Sequence, residues 1–139
     1  NAKRAQRLLI TWITDEPALY GKIKKYISAK DFTDDLYRLV AERLFHDLDQ
    51  NIFNPAGIIS TFEDEEEQRE AAALFNTNLP KLETLQEREK AFRDILLAVK
   101  KNSYEYYMGQ MGSDMTALTQ AIEGKKALEE LAKTHISLE

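Results

Sequence analysis

Apolar residues along this chain recur at helical spacing rather than alternating. Leu8, Leu9, Trp12 and Ile13 share one face of a helix predicted over residues 3–14, the period of 3.6 that marks an amphipathic helix. Asp15, Glu16 and Pro17 then restart the chain, because proline costs no backbone donor in a first turn. A second helix to about Tyr26 turns Leu19, Tyr20, Ile23 and Ile27 inward, with Lys22, Lys24 and Lys25 in its C-terminal half, where cations complement the dipole. Thr33 is the predicted N-cap of a third helix running to about Asp49, with Asp34 and Asp35 in its first turn. Leu36, Val40, Leu44 and Leu48 repeat every four residues there, and Leu39 is expected to widen that stripe.

Further along, Asn54-Pro55 caps a short helix ending near Phe62. The acidic run Glu63 to Glu67 leads into Ala71, Ala72, Leu74 and Phe75, and residues 76–80 form a loop. Thr84-Leu85-Gln86-Glu87 is a capping box. It opens the longest helical pattern, with Leu85, Phe92, Ile95, Leu96 and Val99 inward, continuing to about Met111. Gly112-Ser113-Asp114 breaks the pattern, and Ser113 or Asp114 can cap a last helix carrying Leu118, Ile122, Leu128 and Leu131. The fold class predicted is all-α: a multi-helix bundle over residues 3–100, then a two-helix hairpin over residues 101–137 on a long connecting helix. Such a hairpin covers only its own seam, so local opening is expected to be easier in residues 104–137 than in residues 8–48. Tyr104, Tyr106, Tyr107, Met108, Met111 and Met115 crowd around its tip, and aromatic and methionine enrichment is typical of interface cores.

Composition narrows the function. A chain of 139 residues suits one domain, and buries roughly 70% of its unfolded surface. It has no cysteine, which excludes disulfides and thiolate metal sites and fits a reducing compartment. No apolar run approaches the ~20 residues of a membrane span, and the short amphipathic stretch Leu8 to Ile13 is not a signal peptide. A cytoplasmic location is expected. Asn1-Ala2 reads as a vector remnant and Leu138-Glu139 as native or a tag remnant, so neither end enters the argument. The net charge of −5 gives no counterion-release gain on phosphates. No useful duplex DNA affinity is expected at physiological salt.

Catalytic constellations are weak. His46-Asp47 invites a metal-phosphohydrolase reading, but the only other histidine is His135 near the chain end. A helix-face histidine beside a solvated aspartate is the plainer reading. Glu63, Asp64, Glu65, Glu66 and Glu67 could attract a hard cation. Consecutive helical residues point around the whole cylinder, however, so stabilisation of a helix N-terminus is preferred. Neither a Gly-rich phosphate loop, a nucleophile elbow nor zinc-ligand spacing is present. Lys100-Lys101 and Lys125-Lys126 read first as solvated helix faces. No catalysis, metal or cofactor is expected.

The last helix, Leu118-Thr119-Gln120-Ala121-Ile122-Glu123-Gly124-Lys125-Lys126-Ala127-Leu128, resembles the closing helix of bacterial DnaG-type primases, whose pattern is L-x-x-x-I-x-x-K-K-x-L after a small-residue/Asp turn. Gly112-Ser113-Asp114 matches that turn, Arg4-Ala5-Gln6-Arg7-Leu8-Leu9-Ile10 resembles the domain's first helix, and Asp31-Phe32 followed by a helix ending near His46 keeps the family's rhythm. The resemblance covers residues 3–137. It implies the non-catalytic C-terminal domain that docks primase on the N-terminal collar of the hexameric DnaB-type replicative helicase. Primer synthesis, an RNA-polymerase activity, would then belong to primase domains absent here. The implied helicase-binding residues are Tyr104, Tyr107, Met108, Met111, Leu118, Ile122, Lys125, Lys126, Glu129 and Lys133. The domain alone is expected to be monomeric, without nucleic-acid or membrane partners. Gly124 inside the last helix departs from the family and costs roughly 1 kcal/mol relative to Ala; the hairpin is also short for the family. The alternatives are the helicase's own N-terminal domain, which shares the bundle fold but would not carry Lys125-Lys126-Ala127-Leu128 at its end, and a small helical hydrolase, disfavoured by the missing ligand set.

Overall fold

The structure, a computed structural model, describes residues 2–112 and 114–139. Among these the chain forms seven α-helices and no strand: α1 (Ala2–Asp15), α2 (Leu19–Ile23), α3 (Asp35–Asp49), α4 (Pro55–Ile59), α5 (Glu65–Asn76), α6 (Leu85–Met108) and α7 (Met115–Lys133), with a 3-10 turn at Ala29–Asp31. The expected all-α class is therefore what is seen. No described helix is long and apolar enough to cross a membrane.

α1 is the central element. It buries the unbroken run Leu8 to Ile13, as a helix must when neighbours lie on several sides, and it packs against α6, α5 and α3. The Trp12 and Phe92 rings meet edge to face at 5.2 Å. At the C-terminal end of α1, Glu16 accepts from Trp12 Nε1 at 2.7 Å and from Arg88 Nη2 at 2.7 and 2.9 Å, tying α1 to the start of α6. Thr11 donates to the Leu74 carbonyl at 2.8 Å, fixing α5.

Local capping chemistry sets most boundaries. Asn54 accepts from Gly57 N at 3.1 Å, Asp64 from Glu67 N at 3.1 Å and Thr84 from Glu87 N at 3.0 Å. Each such bond satisfies a first-turn donor that has no intrahelical acceptor. The cap of α3 is Asp34, which accepts from Tyr37 N at 3.1 Å. Thr33, the residue expected there, instead accepts from Gln6 and Asn102 and joins α1 to α6. α3 ends on Asn51 at φ 60°, the left-handed conformation asparagine tolerates better than most residues. Ile52 N then reaches the Asp47 carbonyl and Asn51 N the Leu48 carbonyl, the paired bonds of a Schellman motif.

One packing expectation needs correction. Leu39 is 47% exposed. The α3 stripe widens on the opposite side, through Tyr37, Ala41 and Phe45, where Phe45 stacks on Tyr20 at 4.9 Å. In α7 the buried residues are Ala117, Ala121, Gly124 and Leu131. The seam thus runs along small residues that allow close helix approach, and Ile122 is half-exposed. The expected boundary between residues 100 and 101 lies within the 24-residue α6, the long connecting helix expected to lead into the hairpin.

α7 runs back antiparallel to α6, as Tyr104 beside Gly124 and Arg93 beside Leu131 require. Arg93 caps its C-terminal end by donating to the carbonyls of Leu131 and, at 2.6 Å, of Thr134. Leu131, Ile136 and Leu138 all enter the main core. Leu138, set aside on sequence grounds, is therefore an integral residue; its N–H donates to Glu89 at 2.8 Å.

Gly124 faces Tyr104, but a Cβ built there would sit 3.7 Å from the nearest Tyr104 atoms. That is ordinary contact distance, so the small residue is tolerated rather than demanded. Gly124→Ala is expected to stabilise the domain by about 0.5–1 kcal/mol through backbone entropy, read as a higher urea midpoint with an unchanged slope.

Candidate functional site

The hairpin tip is built by the end of α6 and the start of α7. α6 stops at Met108, three residues before the expected end, with Gly109 as C-cap. α7 starts under Asp114, whose carboxylate accepts from Thr116 N at 2.8 Å. Ser113, the other expected cap, lies outside the described residues.

Because the Ala117–Ala121–Gly124 line is turned onto α6, larger apolar side chains are left outside. Tyr106, Met108, Met115 and Ile122 are 44%, 45%, 76% and 50% exposed. These four make up most of the large exposed hydrophobics of the described chain, the others being Leu39, Ile52 and Phe53.

The ten residues proposed from sequence divide into three sets. Tyr104, Tyr107, Met111 and Leu118 are half-buried; Met108 and Ile122 are exposed apolar residues; Lys125, Lys126, Glu129 and Lys133 are exposed charges along α7. Tyr104 packs on Gly124 in the seam. Tyr107 donates its hydroxyl to the Lys30 carbonyl at 2.6 Å, joining the hairpin to the loop before α3. Burial, the Asp31 carboxylate and the Tyr106 hydroxyl raise the Tyr107 pKa above the usual tyrosine value, against a lowering by Arg38, so Tyr107 stays a neutral donor at physiological pH. Part of its surface is thus committed within the domain. Tyr106 and Met115, named on sequence grounds only as part of the tip cluster, carry more free surface.

Beneath the hairpin lies a polar cluster that sequence reasoning missed. Lys100, read as a solvated residue, and Asp31 are both only 4% exposed. Lys100 Nζ donates to Asp31 Oδ2 at 3.0 Å. Ser103 Oγ donates to Asp31 Oδ1 at 2.7 Å, and Ser28 N to Oδ2 at 2.9 Å. The signal available in sequence was register: Lys100 follows Leu96 by four residues, beside buried Val99 and Ser103.

Other candidates stay apart. His46 is exposed and contacts Gln50 at 3.1 Å. Asp47, expected to be solvated, is instead buried and pairs with Arg43 at 3.4 Å. His135 lies 3.4 Å from Glu89. Glu63 to Glu67 are all exposed. Among the described residues no three histidine or carboxylate side chains converge as metal ligands would. Comparison of the chain with protein-family models, curated proteins and solved structures gave no match.

Proposed function

We propose that this chain is a non-catalytic docking domain of a bacterial DnaG-type primase, which attaches primase to a DnaB-type hexameric helicase at the replication fork. One observation carries the reading: Tyr106, Met108, Met115 and Ile122 are all exposed on the two helices of the hairpin. Aromatic and methionine side chains give a partner large contact area, and methionine adapts to its shape. The sequence resemblance, strongest over Leu118 to Leu128, names the partner. Lys125, Lys126, Glu129 and Lys133 stand at the rim, where charges govern association rate and register more than affinity.

The test is calorimetric titration with the N-terminal region of the cognate helicase. Tyr106→Ala and Met108→Ala are each expected to weaken binding by about 2 kcal/mol if they sit in the anchored centre. Lys126→Ala is expected to act mainly on association rate. Circular dichroism checks folding. Point variants are preferable to removing the hairpin, since that would also strip Leu131, Ile136 and Leu138 from the core. Full-strength binding by the Tyr106→Ala/Met108→Ala double variant would overturn the reading.

A further inference from the structure

The segment from Leu19 to Lys30 holds four lysines, Lys22, Lys24, Lys25 and Lys30, and no carboxylate, in a chain of net charge −5. It forms one wall of a groove of about 440 Å³ whose other wall is α7. Lys24 and Lys25 stand on the first wall; Lys126, Glu123 and Glu130 stand on the second. Tyr26, Ile27 and Ala127 supply apolar lining between them. Lys100 and Asp31 also line the groove, but they neutralise each other.

The groove cations Lys24, Lys25 and Lys126 are not in ion pairs among the described residues, and Lys25 Nζ sits over the Tyr26 ring at 5.1 Å. Lys3, Lys90 and Lys100 each have a carboxylate partner, and Lys22 donates to the Ser137 and Glu139 carbonyls. Among the described residues, no carboxylate lies within ion-pair distance of Lys24, Lys25 or Lys126. Glu123 and Glu130 are one turn from Lys126 on either side, yet neither pairs with it.

We infer that this groove binds an acidic peptide segment of a protein partner, its carboxylates on Lys24, Lys25 and Lys126 and an apolar side chain against Ile27 and Ala127. A nucleic acid suits it less. Glu123 and Glu130 would face a phosphate chain, which carries charge at every step, whereas a peptide can place apolar residues opposite them. The inference does not depend on helicase docking, although Lys126 is also a rim charge of the proposed docking surface. Lys126 follows Met115 by eleven residues of helix, roughly 16 Å at 1.5 Å per residue, so groove and tip are separate surfaces.

The experiment uses the whole chain, isotope-labelled for amide NMR, titrated with a short peptide of alternating glutamate and leucine. Its lysine-leucine counterpart and a short single-stranded oligonucleotide are the other arms. Expected are saturable shifts at Lys24 to Ser28 and Gln120 to Glu130 with the acidic peptide alone. Lys24→Gln with Lys126→Gln should weaken that binding roughly three- to tenfold, as loss of two rim charges implies. Glu123→Gln should tighten it about twofold, an opposite change that damage to the fold would not produce. Lys90→Gln, remote and already paired with Asp94, should leave it unchanged. Shifts elsewhere, equal binding of the oligonucleotide, or indifference to the double neutralisation would each overturn the inference.

Discussion

Lys100→Ala is expected to cost about 3–5 kcal/mol of folding stability, the range for breaking one side of a buried ion pair. The substitution leaves the Asp31 carboxylate buried with only Ser103 and Ser28 N to meet it. Desolvation, not lost attraction, dominates that cost, because the intact pair roughly balances its Coulomb gain against the water it gives up. Domains of this size have only about 5–15 kcal/mol in total, so the loss is at least about a fifth of it. Replacing both partners, as Lys100→Met with Asp31→Leu, should recover part of the loss. Full recovery is not expected, since Ser103 Oγ and Ser28 N would then lose their acceptor. Urea unfolding of the two single variants and the double variant measures this directly. A loss below about 1 kcal/mol for Lys100→Ala would mean that the pair behaves as a solvated surface contact.

This cluster also marks the limit of what could be read from the chain. Caps at Asn54, Thr84 and Asp114 were legible because a side chain and the amide it satisfies lie within three residues of each other. The α3 stripe of Leu36, Val40 and Leu44 was legible because it repeats in one element. Leu39 was misplaced because periodicity fixes the centre of a buried face, while its width depends on which neighbour arrives, here Tyr20 on Phe45. Lys100 was misread because its partner is 69 positions away, and charge alone favours exposure. The α7 seam was not legible for a related reason. Ala117, Ala121 and Gly124 look unremarkable beside Leu118 and Ile122 until a second helix approaches closely enough to use them. Choosing the small residues for the seam is what leaves Ile122 free. The hairpin tip was visible in sequence as an aromatic and methionine cluster, but the division of its members between internal bonds and free surface was not, since Tyr107 is claimed by the Lys30 carbonyl.

Leu131→Ala should be nearly as damaging as the loss of Lys100, and for a reason the expected division at residue 100 would not supply. Were the hairpin sealed only by its own seam, Leu131 would unfold with the hairpin and leave the bundle intact. Instead its side chain is fully buried in the same core as Leu9, Phe92 and Leu96, and its carbonyl accepts from Arg93. Truncation there removes three carbons, Cγ and its two methyl groups, from a site held on several sides, where the structure cannot collapse to fill the gap. The expected cost is about 2–5 kcal/mol. The same geometry narrows where the domain opens easily. Residues 105–112 and 114–118 have exposed apolar side chains and few partners outside the hairpin, so their amides should exchange first. Residues 128–133 should be protected like α1, since opening them exposes the common core. Native-state hydrogen exchange on the unmodified domain and on Leu131→Ala resolves this. If the whole of α7 exchanged together and well ahead of α1, or if Leu131→Ala cost under about 1 kcal/mol, the hairpin would be an independent unit after all.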